Sequence, residues 1–176
     1  MLVIDVHTHM LGREWAKMLA EKGPPHYEFV KTKDGRDSLL CDGAPFLTPQ
    51  PAHFDYELRL KDMDNARVDM SIVSLTAPNC FFGDEATSLK AAQLVNDDMA
   101  SAQTTWSDRI RWFCSIPWEY ADAAVKELKR ARGKGAVGVM CLANINGRSL
   151  TEPAFAPVWK AIDDIGRRCC LDDALH

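Results

Sequence analysis

Leu2-Val3-Ile4-Asp5-Val6-His7-Thr8-His9 reads as a short apolar strand that ends by presenting two histidines. Strand side chains alternate faces, so residues two apart point the same way. His7 and His9 are therefore expected to reach one point in space, and paired neutral imidazoles are common transition-metal ligands. By the same alternation Asp5 is expected on their face, either supporting a ligand or capping strand backbone. A dinucleotide-binding sheet would carry a glycine-rich phosphate loop after its first strand, and His7-Thr8-His9 stands there instead. That points to a metal site at the C-terminal mouth of a β/α barrel. An acid at position 5 and histidines at 7 and 9 do not form the apolar core of a signal peptide, so no secretory leader is expected.

The pattern downstream fits a barrel. Val68 to Leu75, Ile110 to Ile116 and Ala136 to Leu142 are near-continuous apolar runs. Between them lie helical periods: one capped by Asp55, one starting at Asp84 or Thr87, one over Tyr120 to Arg132 and one over Pro153 to Ile165. Apolar strands alternating with amphipathic helices predict a parallel sheet covered by helices, with right-handed crossovers. Glu14 to Lys22 is expected as a short helix stopped by Gly23-Pro24-Pro25. After it, Lys33-Asp34-Gly35-Arg36 between two extended runs predicts a β-hairpin excursion over 26–51. The expected fold class is α/β, a partial (β/α)8 TIM-type barrel of about four βα units, forming a single domain over 1–176.

Composition narrows the function classes. The 176 residues are 47% hydrophobic and 26% charged, as in a globular protein. A net charge of −4 offers no basic field for nucleic acid or an anionic membrane, and no stretch approaches a membrane span. Six cysteines without a Cys-x-x-Cys spacing are expected as free thiols in a reducing cytoplasm.

Several segments carry a family resemblance. They are Ile4 to His9, Asp55-Tyr56-Glu57-Leu58-Arg59-Leu60-Lys61-Asp62-Met63-Asp64, Val68 to Leu75, Asn96 to Ala100, Asp108 to Phe113, Gly138-Val139, and Asn146 to Leu150. Together they resemble the amidohydrolase-related metal enzymes over residues 1 to about 166. Within these the chain is most similar to the group of the aminocarboxymuconate semialdehyde and resorcylate-type decarboxylases. The resemblance implies a full barrel holding a divalent metal, usually zinc. It implies ligands from two strand-one histidines, a histidine ending strand five, often one ending strand six, and an aspartate ending strand eight. Only His7 and His9 carry over.

The function implied is a metal-dependent carbon–carbon lyase, a decarboxylase of a small carboxylated aromatic or muconate-like acid. The alternatives are a metal-dependent hydrolase of a lactone, ester or amide, and an inactive fragment or binding module. In the aminocarboxymuconate enzyme an arginine that binds substrate carboxylate follows the phenylalanine that Phe46 resembles. Here that residue is Leu47, which argues against that particular substrate. Arg36 and Arg59 are the stand-ins, with a solvated surface charge as the alternative for each. Thr76, Asn79, Trp118, Asn144 and Asn146 follow strand ends and are candidate substrate-pocket residues, with ordinary turn chemistry as the competing role. His26 and His53 are expected at the surface, and a homo-oligomer is left open.

The tail departs from the family. An apolar strand ending in His-Pro would follow Gly166, whereas the chain reads Arg167-Arg168-Cys169-Cys170-Leu171-Asp172-Asp173-Ala174-Leu175-His176. Its charged pairs are poor material for a buried strand. Residues 167–176 are expected as the frameshifted or artificial end of an interrupted barrel, with a half-barrel completed by a second chain as the alternative. Asp172 falls near the strand-five position, and His176 is expected to be frayed. The general acid or base would lie in the half not present. Two imidazoles are one short of the three protein ligands usual in catalytic zinc sites, so weak metal binding and impaired activity are expected.

Overall fold

The apolar runs become adjacent parallel strands. A computed structural model describes residues 1–166 and the backbone of 168–172. β1 (Ile4–His9) leads to α1 (Arg13–Lys22), and then to a small sheet of β2 (Tyr27–Lys31), β3 (Asp37–Cys41) and β4 (Ala44–Leu47). α2 (Tyr56–Ala66), β5 (Met70–Ser74), α3 (Glu85–Thr105), β6 (Ile110–Cys114), α4 (Ala121–Gly133) and β7 (Gly138–Leu142) follow. The chain continues through a minimal hairpin, β8 (Asn144–Ile145) and β9 (Arg148–Ser149), to α5 (Ala156–Ile165) and β10 (Arg168–Asp172). The main sheet has the order β1-β5-β6-β7-β10, with every neighbouring pair parallel. This is the wall of a partial barrel.

Local chemistry explains the element ends. The Asp55 carboxylate accepts the backbone N–H groups of Glu57 (2.9 Å) and Leu58 (3.1 Å), opening α2. Asp84 accepts from Thr87 N–H at 2.9 Å and opens α3. Gly166 closes α5 in the left-handed region at φ 64°, where a side chain is disfavoured.

The excursion holds the expected β2–β3 hairpin and adds a third antiparallel strand, because Asp42 and Gly43 take φ 49° and 78° and fold the chain back once more. Two expectations are corrected. The loop expected over 143–147 is the β8–β9 hairpin, turned by Asn146 and Gly147 at φ 50° and 77°. The tail, read as unfit for a strand, does pair: β10 runs parallel to β7 from Arg168 opposite Gly138 to Asp172 opposite Leu142. Ladder hydrogen bonds use backbone groups that every residue but proline carries, so β7 can be paired without a favourable side-chain pattern. The side chains of 167–176, including Asp172 and His176, lie outside the described residues.

Register assigns the two faces. One carries Val73, Ile110, Trp112, Cys114, Val139 and Cys141, all fully buried. A buried polar network ties the elements behind it. Asn96 of α3 accepts from Ser115 N–H at 2.9 Å and donates to the Ser115 carbonyl (2.8 Å) and to Glu127 of α4 (2.7 Å). Arg130 holds the same Glu127 carboxylate through two bonds of 2.7 Å, so this buried acid is paired and hydrogen-bonded. The opposite face is covered at β6 and β7, where Phe113, Met140 and Leu142 are buried, and open at the β1 edge, where Ile4, the register partner of Met70, is 43% exposed and Val6 54%.

An open apolar face beside an edge strand favours association. The 176-residue chain alone is expected to dimerise or self-associate through that face. Sedimentation at micromolar concentration checks this, and a well-behaved monomer with a cooperative unfolding transition would count against it.

Candidate metal centre

His7 and His9 converge. Their ring centroids lie 5.1 Å apart in an edge-on arrangement, at the C-terminal end of β1. The route to this geometry differs from simple alternation. Asp5 pairs with Ser71 and Thr8 with Val73, so β1 advances three residues while β5 advances two. One extra residue is thus inserted between Asp5 and Thr8, a bulge that re-aims the strand end. Asp5 is thereby placed on the face opposite His9, contrary to the alternation argument, and its carboxylate accepts the His7 backbone N–H at 3.1 Å. His9 pairs in register with Ser74 and shares the open face with Ile72 and Met70.

Two residues from outside β1 hold this end. Ser74 Oγ lies 3.1 Å from His9 Nδ1 and 3.4 Å from the Thr8 carbonyl. Arg59, reaching across from α2, donates to Thr8 Oγ1 at 2.8 Å and to the His9 carbonyl at 2.7 Å. Arg59 is thus engaged with the strand bearing the histidines, whereas Arg36 is paired with Asp34 at 2.6 Å in the β2–β3 turn. Burial, and then the Arg59 charge, hold His53 below the ordinary imidazole range. His26 is exposed and paired with Asp42. Sequence reasoning missed Ser74, although a polar residue ending the apolar run Ile72-Val73 was a usable signal.

The five loop candidates are dispersed in role. Trp118 is fully buried, donates from Nε1 to the Met140 carbonyl at 3.3 Å, and packs against Phe155 and Trp159. Asn79 is buried too, its amide donating to the Leu75 carbonyl (2.8 Å) and its oxygen accepting from Cys80 N–H (3.0 Å). The Asn144 side chain accepts from Gly147 N–H at 2.8 Å and shapes the β8–β9 turn. Asn146 donates to Glu119 at 2.8 Å and lines a cavity of about 650 Å³ between the end of α1, the start of β2 and the loops after β5, β6 and β7. Neither strand-one histidine lines that cavity. Thr76, 8% exposed, sits two residues beyond Ser74.

Two imidazoles are suitable donors for a divalent transition metal, and their convergence makes them a fitting pair of ligands. Among the described residues no group of three His, Cys, Asp or Glu side chains is placed to complete the site. Cys41, Cys80, Cys114 and Cys141 form no disulfide with one another, and no described helix is long and apolar enough to cross a membrane.

No family model matches the chain. It is 25% identical over 174 residues to the 2-amino-3-carboxymuconate-6-semialdehyde decarboxylase of Dictyostelium discoideum, a match covering 94% of this chain and 47% of that protein. Among solved structures it superposes on an amidohydrolase II with a TM-score of 0.77 at 25% identity, covering 99% of this chain and 52% of the other. It also superposes on the 5-carboxyvanillate decarboxylase of Novosphingobium aromaticivorans with a TM-score of 0.73 at 20% identity, covering 96% and 49%. That structure is complexed with manganese and 4-hydroxy-3-methoxy-5-nitrobenzoic acid. The fold is an amidohydrolase-type partial barrel. The chain is similar to the aminocarboxymuconate semialdehyde decarboxylase-like group of amidohydrolase-related proteins, and it spans about half the length of the relatives it matches.

Proposed function

We propose that this chain carries the strand-one half of the active site of a metal-dependent carbon–carbon lyase. The reaction is decarboxylation of a small carboxylated aromatic or muconate-type acid in the cytoplasm. The observation that carries the reading is the convergence of His7 and His9 at the C-terminal end of β1. The decarboxylases among its relatives support the chemistry. His7 and His9 would hold a divalent cation, with zinc the metal proposed. When bound, that cation supplies positive charge close to where negative charge develops as carbon dioxide leaves. Arg59 pins the strand end that carries both rings, and Thr76 is proposed to face substrate. The remaining ligands and the acid or base belong to a second half-barrel, so the 176-residue chain alone is expected to turn over poorly.

The test is a panel of small aromatic and muconate-type acids, lactones and esters, assayed with added zinc or manganese. Carbon dioxide release that stops on chelation is expected. Lactone or ester hydrolysis without carbon dioxide would move the chain to the hydrolase alternative. Turnover indifferent to chelation would overturn the metal reading.

A further inference from the structure

Ser74 ends β5 and is 2% exposed, yet both hydrogen-bonding capacities of its hydroxyl are used. A buried hydroxyl without partners is costly, and this one has two. A backbone carbonyl only accepts, and a serine hydroxyl has one hydrogen to give. The Thr8 carbonyl, 3.4 Å away, is placed to take that hydrogen. The contact at 3.1 Å then runs the other way, with His9 Nδ1–H donating to a lone pair on Ser74 Oγ. An imidazole protonated at Nδ1 in its neutral form carries its lone pair on Nε2.

We propose that Ser74 is a positioning residue for His9, selecting the Nδ1–H tautomer and the ring plane, so that His9 offers Nε2 to a metal. The inference rests on the reading of His7 and His9 as ligands. The surrounding structure keeps the arrangement in place. His9 and Ser74 are register partners, and Met10 N–H donates to the Ser74 carbonyl at 3.0 Å. The Arg59 guanidinium spans the Thr8 side chain and the His9 carbonyl, restraining the peptide whose oxygen orients the serine. The extra residue in β1 sets this register, because without it His9 would pair one position away from Ser74.

Nitrogen-15 chemical shifts of histidine-labelled chain, taken at mildly alkaline pH without metal, report the tautomer directly. Wild-type His9 is expected as Nδ1–H, and an Nε2–H form would overturn the proposal whatever the variants do. Ser74→Ala is expected to shift His9 toward Nε2–H and to weaken zinc binding by roughly 10–100-fold, the usual cost of losing a partner behind a ligand. Ser74→Thr, which keeps the hydroxyl and suits a strand, is expected to restore both. If Ser74→Ala binds zinc as wild type does, with an unchanged tautomer, Ser74 is structural only and the inference fails while the metal reading stands. If the tautomer shifts as expected but wild type takes up no zinc, the orienting role stands and the metal reading fails.

Discussion

Replacing Trp118 with alanine is expected to destabilise the chain by about 3–5 kcal/mol, the range for deleting a fully buried large aromatic side chain. The indole is 0% exposed, lies 4.9 Å from Trp159 and 6.1 Å from Phe155 between ring centroids, and spends its N–H on the Met140 carbonyl at 3.3 Å. It therefore links the loop after β6 to β7 and to the region of α5. Trp118→Phe keeps most of the apolar volume but removes that hydrogen bond, and is expected to cost about 1 kcal/mol. Urea unfolding followed by circular dichroism separates the two variants. A loss below 1 kcal/mol would show that Trp118 does not anchor this part of the core.

The second large effect concerns the metal. Wild-type chain is expected to bind zinc weakly and the double variant His7→Ala with His9→Ala to bind none above background. Isothermal titration with zinc chloride is the measurement, with His26→Ala as a control expected to match wild type, because His26 is exposed and paired with Asp42 on the excursion. Two neutral imidazoles give a partial donor set, which sets the expectation of weak binding. Tight binding by wild type would show that a further ligand is supplied from residues beyond those described or from a second copy. Binding that survives the double substitution would place the metal elsewhere and remove the main support for the proposed function.

Much of this protein was legible before its fold. The apolar runs at 68–75, 110–116 and 136–142 became β5, β6 and β7, because side chains buried on both faces of a parallel sheet leave a near-continuous hydrophobic signal. The caps at Asp55 and Asp84 could be read because an N-cap is a local contact between a short polar side chain and backbone two or three residues on. Histidines two apart at the end of an apolar strand marked the candidate metal centre by residue type and spacing alone.

Tertiary structure decided the rest. Alternation placed Asp5 with the histidines, whereas the extra residue before Thr8 moved it to the other face, and a bulge is specified by pairing between strands 66 residues apart. The role of Ser74 depends on that register, and the clamp by Arg59 depends on α2 docking across β1. The strand at 168–172 formed despite its side-chain pattern, since a backbone ladder needs only a neighbour with matching donors and acceptors. Trp118, Asn79 and Asn144 were candidates for either pocket or turn because they follow strand ends. Their polar atoms proved to serve the fold, which a linear sequence cannot show, since hydrogen-bond partners and burial exist only once distant segments meet. The sequence by itself determined the parallel α/β architecture and the two candidate ligands, which depend on periodicity and spacing. Register, tautomer and the line between pocket and core depend on which segments become neighbours, and only the folded chain sets those.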